Sequence, residues 1–290
     1  MRIAVVGLGG VGGYIGASLA KTSHDIVGFA RGEHLLEIQE KGITIVEDEI
    51  TWTQILNVQN LDNAEGYFDI VLFCVKSYDL EESYKKISSY IDKKTTILSF
   101  SNGVVNGDIL RNLSESIVLD ACVYILSHKE RAGVIRKKGK VFATIFGGDR
   151  EATVKLQTIF EKANLRTKTP KDIQTAIWKK YIFISAFATL TTYYDKSISD
   201  IYKYHRDEAK ELLNEINLVA QAKGIDISSE IEKALVTASK VPIKSFTSMY
   251  LDFKNGSKNE LESLSGYIVR EALLKNIKVP LMEKMYKELL

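Results

Sequence analysis

A glycine-rich segment near the start of the chain constrains the fold more than any other feature. It follows an apolar run at residues 3–6 and has the pattern Gly-x-Gly-x-x-Gly, formed by Gly7, Leu8, Gly9, Gly10, Val11 and Gly12. The first glycine permits a tight turn, the second lets the backbone approach a pyrophosphate, and the third allows a helix to pack closely on a strand. N–H groups at the start of that helix attract phosphate. The segment therefore predicts a dinucleotide-binding site in a Rossmann-type domain, with these six residues at the cofactor.

Apolar strands alternate with helical patterns through the first part of the chain. Strands are predicted at residues 2–6, 25–30, 69–75 and 96–100, and helices at 11–21, 33–41, 78–91 and 151–162. A small hairpin is predicted at 43–46 and 50–56, and further strands at 117–126, 133–136 and 141–146. Continuous apolar strands separated by helices indicate a parallel sheet covered on both faces. The expected fold class is therefore α/β.

The pattern changes at Pro170, because proline disfavours helix in the residue before it and marks a boundary. Beyond it only helices are predicted, at residues 172–194, 207–223, 228–240, 245–254 and 258–276. We therefore expect two domains. Residues 1–169 form an NADP-binding Rossmann-type domain, and residues 170–290 form an all-helical domain that carries substrate-binding and catalytic residues.

The overall composition excludes several classes of protein. Hydrophobic residues make up 45% of the 290 residues and charged residues 26%, as in a folded globular protein. The formal net charge is +2, so nothing indicates a nucleic-acid partner. The most apolar helical stretch, residues 181–190, is half of the ~20 residues that span a bilayer. Two cysteines, Cys74 and Cys122, lie in apolar runs and are expected in the core. We expect a cytoplasmic protein with no membrane partner.

The end of the second strand distinguishes between the two nicotinamide cofactors. Folds that bind NAD usually place Asp or Glu there, to accept a hydrogen bond from the ribose 2′-hydroxyl. The chain has no carboxylate at residues 28–32 and has Arg31 instead. A guanidinium binds a 2′-phosphate through paired hydrogen bonds and stacks on adenine. Arg31 therefore favours NADPH, unless it is an ordinary surface arginine.

Polar residues stand at the ends of two further predicted strands. Lys76 ends the run Phe-Asp-Ile-Val-Leu-Phe-Cys-Val-Lys, and Asn102 follows Ile-Leu-Ser-Phe-Ser. Ligands of open α/β sheets bind at the carboxyl ends of the strands. We therefore expect Lys76 and Asn102 to contact cofactor or substrate, although each alone is compatible with a plain strand-end residue.

Reduction of a carbonyl by a nicotinamide cofactor also requires a proton donor. Lys180 lies in the segment Trp-Lys-Lys-Tyr, just before a helix that is apolar on nearly every side. Desolvation lowers the pKa of a lysine, which suits proton transfer. The alternative is that Lys179 and Lys180 merely cap the polar end of a buried helix, and the sequence leaves both interpretations open.

The C-terminal region adds polar candidates. Helical spacing places Ser248 and Asp252 on one face. Asn259, Glu260 and Glu262 follow closely. One of these carboxylates is a candidate partner for Lys180, because an unpaired ammonium in a desolvated site is costly. Most charges of this region are otherwise expected to face solvent.

Taken together, these residues resemble the ketopantoate reductase (2-dehydropantoate 2-reductase) family over nearly the whole chain, in order and spacing. The matching segments are residues 7–12, Arg31, Lys76, Asn102, residues 133–135 with Gly139, residues 178–180, residues 248–252, Glu260 and residues 279–280. The resemblance implies NADPH-dependent reduction of 2-dehydropantoate to D-pantoate, a step toward coenzyme A. It implies a Rossmann domain followed by a helical domain, with the active site in the cleft, and an association into homodimers by analogy.

The resemblance also implies roles for single residues. Lys180 is the general acid that protonates the forming alkoxide, and Glu260 forms hydrogen bonds in the same catalytic site. Asn102 holds substrate and cofactor, Lys76 contacts the cofactor, and Ser248 contacts the substrate. Lys180 and Glu260 are thus expected to bind substrate as well as to act in catalysis. No metal is implied.

One departure from the family pattern affects the substrate. Members commonly carry asparagines four and eight residues after the catalytic lysine, where this chain has Ile184 and Ala188. Loss of such groups changes substrate preference by about 1–3 kcal/mol per unpaired group. One alternative is therefore a related NADPH-dependent D-2-hydroxyacid dehydrogenase that acts on a branched or aromatic 2-oxo acid. The other alternative is a non-catalytic NADP-binding sensor, against which Lys180, Asn102 and Glu260 together argue.

Overall fold

The computed structural model describes all 290 residues, which divide into two compact units. The first unit contains Met1–Ser101 and Val105–Ile173, and the second contains Asn102–Val104 and Gln174–Leu290. The three-residue segment Asn102–Val104 therefore belongs by its contacts to the second unit, although it lies between two parts of the first unit in sequence. No helix is both long and apolar enough to cross a membrane.

The first unit is built on a mixed sheet of ten strands. The strands are β1 (Arg2–Val6), β2 (Asp25–Phe29), β3 (Ile43–Glu47), β4 (Ile50–Gln54), β5 (Asn57–Gln59), β6 (Ile70–Phe73), β7 (Thr96–Ser99), β8 (Ile117–Arg131), β9 (Val134–Gly147) and β10 (Thr167–Lys168). Their order is β4-β3-β9-β8-β7-β6-β1-β2-β5, and β10 pairs with β9. Strands β5, β2, β1, β6, β7 and β8 pair in parallel, whereas β8 with β9 and β3 with β4 are antiparallel. The predicted α/β class is confirmed.

Both faces of the parallel part of the sheet are covered. The helices of this unit are α1 (Gly10–Leu19), α2 (Gly32–Lys41), α3 (Leu80–Ile87), α4 (Asn106–Leu113) and α5 (Arg150–Lys162). Alternate residues of β1 enter two different apolar clusters, with Ile3 and Val5 in one and Ala4 and Val6 in the other. A strand buried on both faces needs a continuous apolar run. That requirement explains why β1 reads Arg-Ile-Ala-Val-Val.

The second unit is helical. Its elements are α6 (Ile173–Tyr194), α7 (Ile198–Tyr204), α8 (Arg206–Gln221), α9 (Ser229–Lys240), α10 (Ser248–Lys254), a π-helical turn (Glu262–Gly266), α11 (Tyr267–Leu274) and α12 (Pro280–Leu289). Helix α12 starts with Pro280 in its first turn, and the buried carboxylate of Glu215 accepts the N–H groups of Leu281 and Met282 at 2.9 and 2.8 Å. Glu215 therefore satisfies two donors that every helix start leaves free.

Several elements differ from the sequence predictions. The two short strands expected at residues 133–136 and 141–146 are one strand, β9, which pairs with β8 on both sides of an irregularity between Lys137 and Phe142. Helices α4, α7 and α12 were not predicted. The single helix expected at residues 258–276 instead opens with the π-helical turn. Of the two cysteines expected in the core, Cys122 is buried but Cys74 is only half-buried.

Candidate active site

The glycine-rich segment forms a tight turn between β1 and α1. Gly7 has a φ of +92°, a left-handed value that favours glycine. Its N–H and that of Leu8 both donate to the carbonyl oxygen of Phe29, at 3.0 and 3.2 Å. A Cβ on Gly12 would lie 2.0 Å from the carbonyl oxygen of Gly7. The turn and the first turn of α1 are therefore packed too closely for any side chain at Gly12.

Gly9 differs from the other glycines of this turn. A Cβ placed on Gly9 would meet no atom within 4 Å, whereas one on Gly10 would lie 2.6 Å from the carbonyl oxygen of Ser127. Packing inside the protein thus requires glycine at position 10 and leaves open space at position 9. Helix α1 has no side-chain cap and no acidic residue in its first turn. An open backbone beside an uncapped helix start fits the pyrophosphate of a dinucleotide.

The buried side chain of His34 is hydrogen-bonded to the backbone of this turn. The Nε2 atom of His34 lies 2.8 Å from the carbonyl oxygen of Leu8, and the N–H of Gly133 donates to Nδ1 at 2.9 Å. These partners require the neutral ring with its proton on Nε2. Burial lowers the pKa of His34, with a smaller lowering from the charge of Lys129 and an opposing effect of the Leu8 carbonyl. The sequence held no signal for this role.

Two predicted cofactor residues flank the turn in the first unit. Arg31 is exposed at the position just before α2, two residues beyond β2, and forms no ion pair within the chain. Its guanidinium is thus available to an external anion. Lys76 is half-buried, three residues beyond β6, and its carbonyl oxygen accepts the N–H of Asp79 at 2.9 Å.

Three predicted catalytic or substrate residues come together in the second unit. The Nζ atom of Lys180 donates to Oδ1 of Asn102 at 2.8 Å, and Nδ2 of Asn102 donates to Oε2 of Glu260 at 3.4 Å. Lys180 lies in the second turn of α6, Asn102 in the loop after β7, and Glu260 just before the π-helical turn. We refer to Lys180, Asn102 and Glu260 as the polar trio.

The polar trio places an amide between opposite charges. Glu260 is only 2% exposed, and Lys180 is half-buried. A carboxylate only accepts hydrogen bonds and an ammonium only donates them, so the amide of Asn102 has one orientation that serves both. Burying either charge without such a partner would cost several kcal/mol. The ammonium is therefore held at a defined place, and a general acid has to be positioned in this way.

Hydrogen bonds in the first unit stabilise the turn that precedes Asn102. The hydroxyl of Ser101 donates to the carbonyl oxygen of Val75 at 2.6 Å and accepts from the hydroxyl of Ser99 at 2.9 Å. The amide of Asn106 donates to the carbonyl oxygen of Ser101 at 2.9 Å. Gly103 follows with a φ of +124°, where a side chain would be strained. Sequence analysis identified Asn102 but missed these supporting residues.

A stripe of hydroxyl groups on α6 binds the π-helical turn. The hydroxyl of Tyr181 donates to the carbonyl oxygen of Leu264 at 2.6 Å, and that of Ser185 donates to the same oxygen at 3.1 Å. The hydroxyls of Thr189 and Ser265 are hydrogen-bonded at 2.7 Å. Burial is the main cause that raises the pKa of Tyr181, followed by the effect of Tyr267. The sequence shows that Tyr181, Ser185 and Thr189 follow one another at intervals of four residues. It does not show that they bind the π-helical turn.

The remaining predicted residues lie apart from these contacts. Ser248 is exposed and is the first residue of α10, and none of the hydrogen bonds that join the polar trio involves it. Asp252, on the same helix, is half-buried. Beyond Lys180 along α6, Ile184 is half-buried and Ala188 is buried. The positions four and eight residues after the ammonium are therefore apolar.

Two family models match the chain and together cover most of it. The model described as "Ketopantoate reductase PanE/ApbA" matches residues 3–149, and that described as "Ketopantoate reductase PanE/ApbA C terminal" matches residues 172–289. Among curated proteins, an uncharacterized oxidoreductase of Bacillus subtilis, YkpB, is 26% identical over 298 residues, with 100% of this chain and 98% of the relative covered.

Solved structures of ketopantoate reductases are also similar to this chain. The 2-dehydropantoate 2-reductase of Porphyromonas gingivalis is 32% identical, with a TM-score of 0.86 over 100% of this chain and 99% of that chain. A PanE/ApbA family ketopantoate reductase of Ralstonia eutropha is 27% identical, with a TM-score of 0.92 over 100% of this chain and 97% of that chain. The similarity in sequence and in fold to these two structures therefore extends over the whole chain.

Proposed function

Because the chain belongs to the ketopantoate reductase family of dinucleotide-binding oxidoreductases, we propose that it reduces 2-dehydropantoate to D-pantoate with NADPH. This reaction is a step of pantothenate and coenzyme A biosynthesis. The single observation that carries the proposal is the polar trio, in which a half-buried ammonium is hydrogen-bonded through an amide to a buried carboxylate. Such a group donates a proton to an oxygen that gains negative charge.

The glycine-rich turn and the residues around it would bind the cofactor. Backbone N–H groups at the start of α1 would hold the pyrophosphate, and the open space at Gly9 allows its approach. Arg31, exposed and free of ion pairs, would bind the 2′-phosphate, so we propose NADPH over NADH. Lys76 and Asn102 complete the proposed cofactor contacts. NADPH, when bound, supplies the hydride that reduces the keto carbon.

Lys180 would act as the general acid. Its ammonium protonates the alkoxide oxygen of the product, and proton donation by a positioned side chain typically contributes about 10²–10⁴-fold to the rate. The same positive charge attracts the carboxylate that every 2-oxo acid carries beside its ketone. Lys180 therefore both binds the substrate and supplies the proton.

Asn102 and Glu260 would keep the ammonium in place. The amide oxygen of Asn102 accepts a hydrogen bond from one of the three N–H groups of Lys180. Glu260 accepts a hydrogen bond from the amide nitrogen of Asn102, which keeps the amide from exchanging its oxygen and nitrogen positions. The negative charge of Glu260 favours the protonated form of a nearby amine. We also propose a direct contact of Glu260 and of the exposed Ser248 with substrate.

A second candidate function is the reduction of a branched or aromatic 2-oxo acid to a D-2-hydroxy acid. The observation that favours it is the apolar character of the positions four and eight residues after Lys180 on α6, half-buried Ile184 and buried Ala188. Apolar side chains offer no hydrogen bond to the hydroxyl group of 2-dehydropantoate, and they suit an apolar substrate side chain.

A comparison of substrates tests both functions. The wild-type protein is assayed with NADPH and with NADH against 2-dehydropantoate and a series of straight, branched and aromatic 2-oxo acids, by loss of reduced-cofactor absorbance. The highest kcat/KM on 2-dehydropantoate would support the first function, and the highest value on an apolar 2-oxo acid would support the second. Tight NADPH binding without turnover of any of them would instead indicate an NADP-binding sensor.

We also propose that two copies of the chain associate into a homodimer. Exposed apolar side chains in the second unit support this, with Ile243, Leu273 and Leu274 exposed by 85%, 81% and 76%. Burial of such groups between copies would be favourable. Sedimentation equilibrium across a range of concentrations measures the mass of the particle, and a monomer at every concentration would contradict the proposal.

A further inference from the structure

Lys180 and Tyr181 are neighbours on α6, and their side chains reach the two ends of one hydrogen-bonded path. Lys180 donates to Asn102 at 2.8 Å, and Asn102 donates to the carboxylate of Glu260 at 3.4 Å. The carbonyl oxygen of Glu260 accepts the N–H of Leu264 at 3.0 Å. The carbonyl oxygen of Leu264 accepts the hydroxyl of Tyr181 at 2.6 Å. The path therefore closes on the helix from which it starts.

The π-helical turn is the element of this path that departs from regular α-helix. A π-helix has more residues per turn than an α-helix, and such turns are rare in proteins and occur frequently at functional sites. If the turn relaxed to an α-helix, the residues before it would rotate about the helix axis by on the order of 100°, one residue's share of a turn. Glu260 lies two residues before this turn, so that rotation would carry its carboxylate away from Asn102.

Buried hydroxyls of α6 oppose that relaxation. Leu264 is 2% exposed, and its carbonyl oxygen accepts from both Tyr181 and Ser185, which are buried as well. A buried carbonyl without a donor is unfavourable, so the turn is stable where these hydroxyls reach it. Tyr181 makes the shorter of the two bonds.

We propose that Tyr181 is a positioning residue for the reduction: its hydroxyl holds the π-helical turn in the register that keeps Glu260 hydrogen-bonded to Asn102, and thereby sets the environment of the Lys180 ammonium. Ser185 supports the same turn through a second bond to the same oxygen. This inference rests on the proposed function for its kinetic consequences, whereas its structural consequence is independent of any reaction.

The Tyr181→Phe variant tests the inference with little disturbance of packing. The ring of Tyr181 lies against those of Trp178 and Tyr267, with centroid distances of 5.4 and 6.1 Å, and phenylalanine keeps both contacts. Tyr193→Phe is the matched control, because it removes a hydroxyl of the same helix that donates to Glu288 at 2.7 Å. If Tyr181→Phe does not fold, Ser185→Ala removes the second bond to Leu264 instead.

Steady-state kinetics and the pH dependence of kcat provide the first readout. We expect kcat of Tyr181→Phe to fall by about tenfold or more, since small misplacements of catalytic groups are costly, with the KM for NADPH unchanged. The alkaline limb of the pH profile of kcat should move to lower pH, because the carboxylate that favours the ammonium is displaced. Tyr193→Phe should stay within about twofold of wild type with an unmoved profile. A purely structural role of Tyr181 would lower the melting temperature and leave that limb in place.

The outcomes separate this inference from the proposed function. A wild-type protein that reduces a 2-oxo acid, together with an unchanged kcat and pH profile in Tyr181→Phe, would overturn the inference and leave the proposed function standing. If the wild type reduces no 2-oxo acid, the proposed function is wrong. The crystal structure of Tyr181→Phe then decides whether the inference about Tyr181 holds. Displacement of the Glu260 carboxylate from Asn102 supports the inference, and retention of their hydrogen bond overturns it.

Discussion

The side-chain nitrogen of Lys180 lies 2.8 Å from the amide oxygen of Asn102, a residue 78 positions earlier in the sequence. Asn102 in turn donates to Glu260, 158 positions later. Neither contact is local, so the environment of the ammonium is created by the fold of the helical unit and by a three-residue loop segment that joins it. The predictions below concern this ammonium and the glycine-rich turn.

Replacement of Lys180 by alanine should abolish most of the activity. Loss of a positioned proton donor typically costs about 10²–10⁴-fold in rate, and the alkoxide also loses its neighbouring positive charge. Steady-state kinetics with saturating NADPH and the preferred 2-oxo acid measure the loss in kcat. NADPH affinity, measured by fluorescence titration, should change little.

Lys179→Ala is the matched control for that experiment. Lys179 is the preceding residue on the same helix, is exposed, and lies 3.9 Å from the carboxylate of Glu230. Exposed ion pairs contribute about 0–1 kcal/mol, so this variant should keep its stability and its kcat. Equal losses of activity in the two variants would mean that the polar end of α6, and not Lys180 itself, is what the activity needs.

Removal of the Arg31 guanidinium should change the choice of cofactor. Arg31 is exposed and has no ion-pair partner in the chain, so Arg31→Ala should not affect folding. We expect NADPH to bind at least about tenfold more weakly, since paired hydrogen bonds to a 2′-phosphate are lost, with NADH almost unaffected. Titrations of both cofactors measure this ratio. A similar loss for both would show that Arg31 does not bind the 2′-phosphate.

The glycine turn offers a pair of substitutions with opposite expectations. A Cβ at Gly12 would lie 2.0 Å from the Gly7 carbonyl, so Gly12→Ala should lose about 1–3 kcal/mol of stability and bind NADPH poorly. A Cβ at Gly9 would meet nothing within 4 Å, and its φ of −70° suits alanine, so Gly9→Ala should keep wild-type stability within about 0.5 kcal/mol.

NADPH binding by Gly12→Ala and Gly9→Ala distinguishes a glycine needed for packing from a glycine needed for the approach of the cofactor. Despite its normal stability, Gly9→Ala should bind NADPH about tenfold or more weakly, because the methyl group occupies the space that the pyrophosphate needs. Denaturant unfolding and NADPH titration on each variant provide both quantities. Wild-type affinity in Gly9→Ala would place the dinucleotide elsewhere.

The stability of the protein should depend on pH through His34. Burial lowers its pKa in the folded state below the ordinary 6.5, so the unfolded chain takes up the proton first as the pH falls. The free energy of unfolding should therefore be at its plateau above pH 6.5 and should decrease as the pH falls toward the lower folded-state value. Protonation of Nδ1 would also oppose the N–H of Gly133 that now donates to it.

Denaturant unfolding between neutral and mildly acidic pH measures this dependence. In His34→Gln the amide keeps one donor and one acceptor but does not titrate, so the decrease below pH 6.5 should become smaller. His128→Gln is the control, because His128 is exposed. An unchanged pH dependence in His34→Gln would assign the acid sensitivity to other groups.

Local patterns were sufficient for the fold class and for the identity of the candidate residues. The continuous apolar run of β1, the glycine spacing after it and the absence of strand patterns beyond Pro170 depend only on neighbours in sequence. The steric demands of Gly7 and Gly12 are of the same kind, since they arise within one turn. For this reason the α/β class and the family resemblance could be predicted and were confirmed.

The sequence by itself thus determined which chemistry-bearing residues the chain has, because motifs are local in sequence. Tertiary structure decided how the polar trio is connected, that Tyr181 and Ser185 hold a π-helical turn, and that His34 is hydrogen-bonded to the glycine-rich turn. It also showed β9 as one strand, because β9 pairs with β8 on both sides of an irregularity in its charged middle. Hydrogen bonds between residues far apart in sequence depend on how elements pack, and no spacing rule along the chain encodes those distances.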